Sequence, residues 1–307
     1  MPANTANGPL AGVAAEPGVD KPDPILTVEG MRKAFGGLMA VDVHKVSIQR
    51  GLITALIGPN GAGKTTFFNL LTGFDEPDSG RAAFDGKPVS GLSSYRLAQK
   101  GMVRTFQLTK SLTRLSVIEN MKLGARGQSG ESFLRAFFPF VWRGEERSIE
   151  ARADDLLGRF RLDHMRGEYA GTLSGGQRKL LEMARALMAE PRLVMLDEPM
   201  AGVNPALTQS LLEHVKSLRD QGITVMFVEH DMDVVRDISD WVVVMAEGRV
   251  IAEGPPEVIG QDPVVIDAYL GAHHDAPLTE AQEEQQLAEA EQALSQGIDA
   301  EPGAGDE

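Results

Sequence analysis

The chain has 307 residues, of which 42% are hydrophobic and 24% charged, and it contains no cysteine. These values exclude a disulfide scaffold and a thiolate metal site, and they predict a folded protein of the reducing cytosol. No apolar run approaches the ~18 residues that a membrane-spanning helix requires.

The two ends of the chain carry most of the net charge of −14. Residues 1–24 are rich in Ala, Pro and Gly and hold a charge of −2, whereas residues 275–307 contain ten acidic side chains and no Lys or Arg. Such compositions predict disordered tails at 1–24 and 273–307, on either side of a folded domain at 25–272. The remaining charge of the chain is only −2. Nucleic-acid-binding domains usually carry a basic excess, so we expect no nucleic acid as a partner.

Within the folded domain, short apolar runs alternate with helical patterns. The runs are apolar on both faces, which is typical of parallel strands covered by helices on both sides. They comprise residues 53–57, 193–196, 223–228 and 242–245. Residues 206–221 place leucine and valine at helical spacings of three and four, and residues 108–172 show helical patterns without a strong strand. We therefore predict an α/β fold with a mainly parallel sheet and a separate helical lobe.

The first of these strands runs directly into a glycine-rich loop. Residues 58–65 match the pattern G-x-x-x-x-G-K-[ST] in full, after a strand and before a helix that extends to about Leu71. Glycines let backbone N–H groups turn toward phosphates, Lys64 adds a positive charge for the β- and γ-phosphates, and the Thr65 hydroxyl is a ligand for Mg²⁺. The loop predicts a nucleoside triphosphate site with these binding residues: Gly58, Pro59, Asn60, Gly61, Ala62, Gly63, Lys64, Thr65 and Thr66.

The apolar run at 193–196 is followed by two acidic residues, Asp197 and Glu198. The carboxyl ends of parallel strands form the edge at which such sheets bind ligands. We predict that Asp197 holds Mg²⁺ there and that Glu198 orients or deprotonates an attacking water. Paired acids at a strand end are also common surface features, and the upstream phosphate loop is what favours the catalytic interpretation.

A second glycine-containing helix start occurs at Leu173-Ser174-Gly175-Gly176-Gln177. It combines a serine hydroxyl, two glycine amides and a helix amino end, which are all suited to binding an anion. One nucleotide site has no need of two such cradles. We therefore predict that Ser174, Gly175, Gly176 and Gln177 cap a nucleotide that is held by another subunit.

These motifs, in this order, closely resemble those of the ATP-binding cassette (ABC) ATPases over about residues 26–271. The resemblance implies a P-loop NTPase of ABC type, with a mainly parallel core sheet, an antiparallel β subdomain and a helical subdomain at about 108–172. It implies ATP hydrolysis with ATP and Mg²⁺ as cofactors. It also implies that Gln107 is a Mg²⁺ ligand and γ-phosphate sensor, that His230 is the catalytic contact to the γ-phosphate, and that Phe35 stacks on adenine.

The finer sequence pattern resembles the ATPases of bacterial branched-chain amino acid importers. The segments that carry this resemblance are 35–41, 103–107, 115–120, 201–205, 228–232 and 262–271. It implies a second ABC ATPase subunit, in a homodimer or a heterodimer, and two transmembrane permease subunits as partners, with an extracytoplasmic binding protein as an indirect one. The expected location is the cytoplasmic face of the bacterial inner (plasma) membrane. The ATPases of urea and amide importers and of lipopolysaccharide export are similar, so these remain alternative cargoes.

Two other classes of nucleotide-binding protein are disfavoured. A P-loop GTPase would carry an Asn-Lys-x-Asp guanine motif, which the chain lacks. Non-transport cassette proteins resemble either translation factors with two cassettes in one chain or repair proteins with long coiled coils or zinc-binding cysteines. A single cassette without cysteine favours transport.

Two features leave part of the function open. The family usually places Asp where this chain has Asn204, which keeps hydrogen-bonding capacity but lacks the charge expected to couple the two sites of a dimer. Residues 133–142 contain five aromatic side chains. We favour packing within the helical lobe for this segment, and docking to a membrane subunit is the alternative.

Overall fold

The computed structural model describes residues 8–105, 112–126 and 139–274. The strands are β1 (Pro24–Phe35), β2 (Leu38–Gln49), β3 (Ile53–Ile57), β4 (Ser79–Phe84), β5 (Lys87–Pro88), β6 (Met102–Arg104), β7 (Leu193–Asp197), β8 (Thr224–Val228), β9 (Trp241–Ala246) and β10 (Arg249–Gly254). The helices are α1 (Lys64–Leu71), α2 (Ser94–Lys100), α3 (Val117–Lys122), α4 (Pro139–Arg159), α5 (Gly175–Leu187), α6 (Pro205–Asp220), α7 (Met232–Ile238), α8 (Pro256–Ile259) and α9 (Pro263–His274).

The core sheet has six strands in the order β10-β9-β3-β8-β7-β6. Its strands are parallel except for β10, which pairs antiparallel with β9. Every residue of β3, β7 and β8 is buried, because both faces of these apolar strands are covered. The four apolar runs predicted as strands all lie in this sheet, and the predicted α/β class is confirmed.

A second, antiparallel sheet has the order β2-β1-β4-β5. Its first hairpin turns at Gly36 and Gly37, whose φ angles are 54° and 91°. Positive φ at both turn residues defines the type I′ turn that matches the twist of a hairpin, and glycine adopts it without steric penalty. Apolar side chains of both sheets, among them Val28, Val43 and Met245, belong to one hydrophobic cluster. This sheet is the antiparallel β subdomain that the family resemblance implies.

Helices α3 and α4 lie in the predicted helical lobe at 108–172. Short 3₁₀ turns at Asp163–Met165 and Ala170–Thr172 follow them. Over 112–126 and 139–172 the structure contains no strand beyond an isolated bridge between Ser116 and Tyr169. The aromatic segment at 133–142 lies outside the side chains that the structure describes.

The carboxyl-terminal part of the chain divides within α9. Residues up to Ala268 form one compact unit, and Tyr269 begins a second. The last described residue is His274, so the predicted acidic tail at 273–307 lies almost wholly outside the described residues.

Residues 8–24 pack against the rest of the first unit, which differs from the disordered tail predicted for 1–24. Leu10 is buried and belongs to the hydrophobic cluster. Lys21 is only 5% exposed, and its Nζ lies 3.2 Å from Glu253 Oε2 and 3.9 Å from the ring centroid of Trp241. Glu253 also accepts hydrogen bonds from Trp241 Nε1–H and from the backbone N–H of Gly18. The local composition gave no sign of this packing because the partner residue is 232 positions away.

Lys21→Met should lower the free energy of unfolding by about 3 kcal/mol, because it leaves the buried Glu253 carboxylate without its cation. Urea titration measures this loss. Lys45→Met is the control, since Lys45 pairs at 2.6 Å with the exposed Asp20 and surface pairs contribute less than about 1 kcal/mol. Equal losses in the two variants would contradict a structural role for the Lys21 pair.

Candidate nucleotide-binding and catalytic site

The residues that follow four neighbouring strands of the core sheet all lie at one edge of that sheet. β3, β8, β7 and β6 are parallel, so their carboxyl ends lie side by side. The phosphate loop follows β3, His230 comes shortly after β8, Asp197 ends β7, and Thr105 follows β6. The sheet thereby brings together the loops that the motifs predict. Gln107, two positions beyond Thr105, lies outside the described residues.

The phosphate loop approaches the backbone of its neighbours closely. Gly58 has a φ of 149°, and a Cβ atom there would lie 2.0 Å from the carbonyl oxygen of Met245. Gly63 has a φ of 92°, and its Cβ would lie 2.3 Å from the carbonyl oxygen of Ala40. Backbone atoms cannot move aside as the end of a side chain can. The conformation of the loop therefore depends on glycine at both positions.

Lys64 begins α1, as the motif predicts. Its Nζ donates hydrogen bonds to the carbonyl oxygens of Gly58 at 2.6 Å and Pro59 at 2.9 Å, which holds the ammonium group against the loop. Burial lowers the pKa of Lys64, and the negative charge of Glu198 opposes this shift. The amino end of α1, at Lys64 and Thr65, adds the positive end of the helix dipole. Together these groups form a site suited to phosphate, and the other predicted binding residues, Asn60, Gly61, Ala62 and Thr66, lie in the same loop and first helical turn.

Asp197 is oriented by an arginine that the sequence motifs did not reveal. The carboxylate is 5% exposed, and its Oδ2 accepts a hydrogen bond from Arg104 at 2.6 Å. The same guanidinium donates to Asn69 Oδ1 at 2.7 Å and to Thr72 Oγ1 at 3.1 Å, near the end of α1. Arg104 thus links β6, β7 and α1 behind the predicted metal ligand.

The oxygen donors at this edge are chemically suited to Mg²⁺. The Asp197 carboxylate and the Thr65 hydroxyl are hard ligands, and Mg²⁺ in nucleotide sites takes one or two protein oxygens together with phosphate and water. The next residue, Glu198, has a φ of 45°, a left-handed backbone conformation that side chains other than glycine rarely adopt. Such backbone strain is found preferentially at functional sites.

Ser174 caps the amino end of α5, where the sequence places the second cradle. Its Oγ accepts the backbone N–H of Gln177 at 3.3 Å, and Gln177 Oε1 accepts the backbone N–H of Ser174 at 2.9 Å. This reciprocal pair is a capping box, which fixes the start of the helix. A Cβ atom on Gly176 would lie 1.5 Å from Leu207 Cδ2, so glycine permits the close approach of α5 to α6. Gly175 lies in the same first turn, and binding to a second subunit stays a prediction.

His230 and Phe35 both present exposed rings. The His230 side chain is 68% exposed, and its Nδ1 lies 3.8 Å from Glu229 Oε2. Phe35 ends β1 with 49% of its surface exposed, and Lys33 Nζ lies 5.3 Å from its ring centroid. Phe35 directly precedes the turn of the first hairpin, and its exposed ring is available to stack on a nucleotide base.

Asn204 has a local role in the structure. It is the N-cap of α6, and its Oδ1 accepts the backbone N–H of Leu207 at 2.9 Å. Asn and Asp cap helices about equally well. The replacement of the family's usual Asp therefore preserves the start of α6.

Two further polar residues surround the turn after Asp197, and no motif singled them out. Lys179 of α5 donates hydrogen bonds to backbone carbonyls of this turn, and Glu229, 2% exposed, accepts the backbone N–H of Met200 at 3.0 Å. The apolar run that precedes Glu229 was the one signal that could have indicated its burial.

Glu229→Gln should make the free energy of unfolding less dependent on pH. Burial raises the pKa of Glu229, and hydrogen bonds from the backbone N–H groups of Met200 and His230 partly oppose this. An acid whose pKa is raised on folding binds its proton more tightly in the folded state. The wild-type protein therefore loses stability as the pH rises from the ordinary glutamate range through the raised pKa, and the glutamine variant lacks this loss.

Urea unfolding at several values between about pH 4 and 7 measures the difference. Glu257→Gln, in the exposed first turn of α8, is the matched control against which the pH dependence of the Glu229 variant is compared. Identical pH dependence in the Glu229 variant would contradict the prediction.

Two family models match the chain. One, described as an ABC transporter, matches residues 41–201, and the other, described as a branched-chain amino acid ATP-binding cassette transporter, matches residues 249–275. The second range contains α8 and α9, where the sequence ending resembled the importer ATPases. None of the helices within the described ranges is both long and apolar enough to cross a bilayer.

Curated relatives are similar over almost their whole length. The chain is 41% identical to a probable branched-chain amino acid transport ATP-binding protein of Archaeoglobus fulgidus, with 81% of this chain and 96% of the relative covered. It is 41% identical to the high-affinity branched-chain amino acid transport ATP-binding protein BraF of Pseudomonas aeruginosa, with 81% and 98% covered. The corresponding LivG protein of Escherichia coli is 38% identical over 81% and 98%.

Solved structures of similar fold are ATP-binding cassettes. A nucleotide-free cassette from an ABC transporter is 38% identical, with a TM-score of 0.70 over 80% of this chain and 98% of that one. The ADP conformation of an ABC transporter cassette is also 38% identical, with a TM-score of 0.70 over 81% and 99%.

Proposed function

The chain belongs to the ABC transporter family, and from this premise we propose that it is the ATP-hydrolysing subunit of a branched-chain amino acid importer. The observation that carries the proposal is the single sheet edge at which the phosphate loop, Asp197, Glu198 and His230 follow adjacent parallel strands. The relatives at 38–41% identity with branched-chain amino acid transport names support the choice of cargo.

In the proposed complex the triphosphate lies along the phosphate loop and α1. Lys64 contacts the β- and γ-phosphates, and the exposed Phe35 ring stacks on adenine. Thr65, Asp197 and Gln107 hold Mg²⁺, with Arg104 orienting the Asp197 carboxylate. When bound, the ion neutralises charge on the phosphates as the terminal P–O bond breaks.

Hydrolysis is assigned to Glu198 and His230. Glu198 orients the attacking water and accepts its proton, and His230 donates a hydrogen bond to the γ-phosphoryl oxygens. Gln107 senses the γ-phosphate and links the site to the helical lobe. Binding of ATP draws two subunits together, and hydrolysis followed by product release separates them again.

The proposed assembly contains a second ABC ATPase subunit and two transmembrane permease subunits, which an extracytoplasmic binding protein supplies with cargo. The ATPase lies at the cytoplasmic face of the bacterial inner membrane and does not contact the cargo. Ser174, Gly175, Gly176 and Gln177 face the nucleotide of the second ATPase subunit. The amino end of α5 and its capping box support this role, because an exposed helix start offers N–H groups to an anion.

Glu198→Gln should lower kcat for ATP hydrolysis by about 100-fold or more and leave ATP affinity nearly unchanged, because the carboxylate acts mainly in the transition state. Phosphate release and equilibrium ATP binding measure the two effects. Glu190→Gln is the matched control, since Glu190 also has a left-handed φ, of 48°, at an exposed turn. Full turnover by the Glu198 variant would refute its assigned role.

The hydrolysis rate of the isolated ATPase should rise with the square of its concentration, because each composite site needs two chains. Ser174→Arg should abolish most of this turnover and leave ATP binding to the phosphate loop intact. Ser116→Arg removes the similar capping box of α3 and controls for the loss of a helix cap. A linear concentration dependence, or full turnover by the Ser174 variant, would contradict a shared site.

A further inference from the structure

The turn that follows Asp197 is held by a lysine from the helix that begins at Ser174. Lys179 Nζ donates hydrogen bonds to the carbonyl oxygens of Glu198 at 3.3 Å, Pro199 at 2.9 Å and Ala201 at 2.5 Å. An ammonium group has three N–H donors and no acceptor, so this arrangement uses its full donor capacity on backbone atoms. The sequence places Lys179 in α5, two residues after Gln177.

Glu229 makes a further contact to the same turn. Its Oε1 accepts the backbone N–H of Met200 at 3.0 Å, and its Oε2 accepts the backbone N–H of His230 at 3.3 Å. One buried carboxylate therefore contacts both the turn that follows Asp197 and the segment that carries His230. Lys179 is attracted by the charge of Glu229, since that carboxylate is the strongest of the groups that oppose the lowering of the Lys179 pKa by burial.

Helix α5 also contacts the chain beyond the turn. Gly176 lies so close to Leu207, in the first part of α6, that no Cβ would fit without movement of the leucine side chain. The lysine thus binds the start of the connection from β7 to α6, and the glycine packs against the first turn of α6. A displacement of α5 must be followed by the backbone at Glu198 or must break three hydrogen bonds.

We propose that Lys179 is a positioning residue that couples the location of α5 to the geometry of Glu198 in the same subunit. The proposal rests on the proposed function, in which the amino end of α5 contacts the nucleotide of the partner subunit and Glu198 acts on the subunit's own nucleotide. Lys179 then connects the two half-sites through one chain. The carbonyl oxygens, not a ligand, are the groups that it binds.

The chemistry explains why lysine suits this position. An apolar side chain would leave three carbonyl oxygens without a common donor, and the strained φ of Glu198 would lose one of its constraints. An error of about 1 Å in the placement of a catalytic group costs on the order of 100-fold in rate. Substrate binding by Lys64 and the phosphate loop does not involve these carbonyls.

The test uses the full-length chain assembled with its permease subunits in lipid vesicles and measures kcat and KM for ATP. Lys179→Met should lower kcat by about 10- to 100-fold and change KM by less than about threefold, because the variant misplaces Glu198 and leaves the phosphate loop intact. Lys179→Arg, which keeps the charge and several donors, should recover part of the lost kcat. A merely structural role would not produce this separation of kcat from KM together with rescue by arginine.

Lys216→Met is the matched control. Lys216 of α6 pairs at 2.9 Å with Asp237, which lies in α7 and not in the turn after Asp197. Lys179→Gln, whose side chain is one bond shorter than that of lysine, serves if the methionine variant does not fold and should also lose kcat at unchanged KM. Wild-type kcat in either variant overturns the inference, and so does a rise in KM that matches the loss in kcat. Absence of hydrolysis by the wild-type assembly would instead refute the proposed function, which keeps the two failures distinguishable.

Discussion

Parallel pairing of three short, buried strands, β3, β8 and β7, is the constraint on which the candidate site depends. β7 pairs with β8 so that Asp197 is opposite Val228, and β3 pairs with β8 so that Leu56 is opposite the same residue. Because these strands end together, the phosphate loop, the turn after Asp197 and the His230 segment begin at one level of the sheet. Burial of the apolar strands, which is the main favourable term in folding, therefore also fixes the geometry of the polar site.

Much of this arrangement could be predicted from the sequence because its signals are local. A run such as 53–57, apolar on both faces and followed by a complete phosphate loop, defines a strand, a turn and a helix without reference to the rest of the chain. The capping box of Ser174 and Gln177 is similarly contained within four residues. The order of such local units indicated the family, and the family indicated the antiparallel sheet formed by β1, β2, β4 and β5.

The features that sequence analysis missed depend on contacts between distant parts of the chain. Lys21 is buried because Glu253 and Trp241 surround it. The composition of residues 1–24 does not indicate that either residue is nearby. Arg104 contacts Asp197 across 93 positions, and Glu229 contacts Met200 across 29. A charged side chain in a sequence is by default interpreted as solvated, since burial without a partner is costly. Only the tertiary structure supplies the partner that makes burial possible.

Under the proposed function, the left-handed backbone of Glu198 favours activity at a cost in stability. A residue with a Cβ atom in this conformation costs about 1–3 kcal/mol, whereas glycine adopts it freely. The hydrogen bonds around the turn offset the cost in this chain. A descendant of this protein that no longer hydrolysed ATP would gain stability by replacing Glu198 with glycine. Selection for stability and selection for turnover therefore favour different residues at this position.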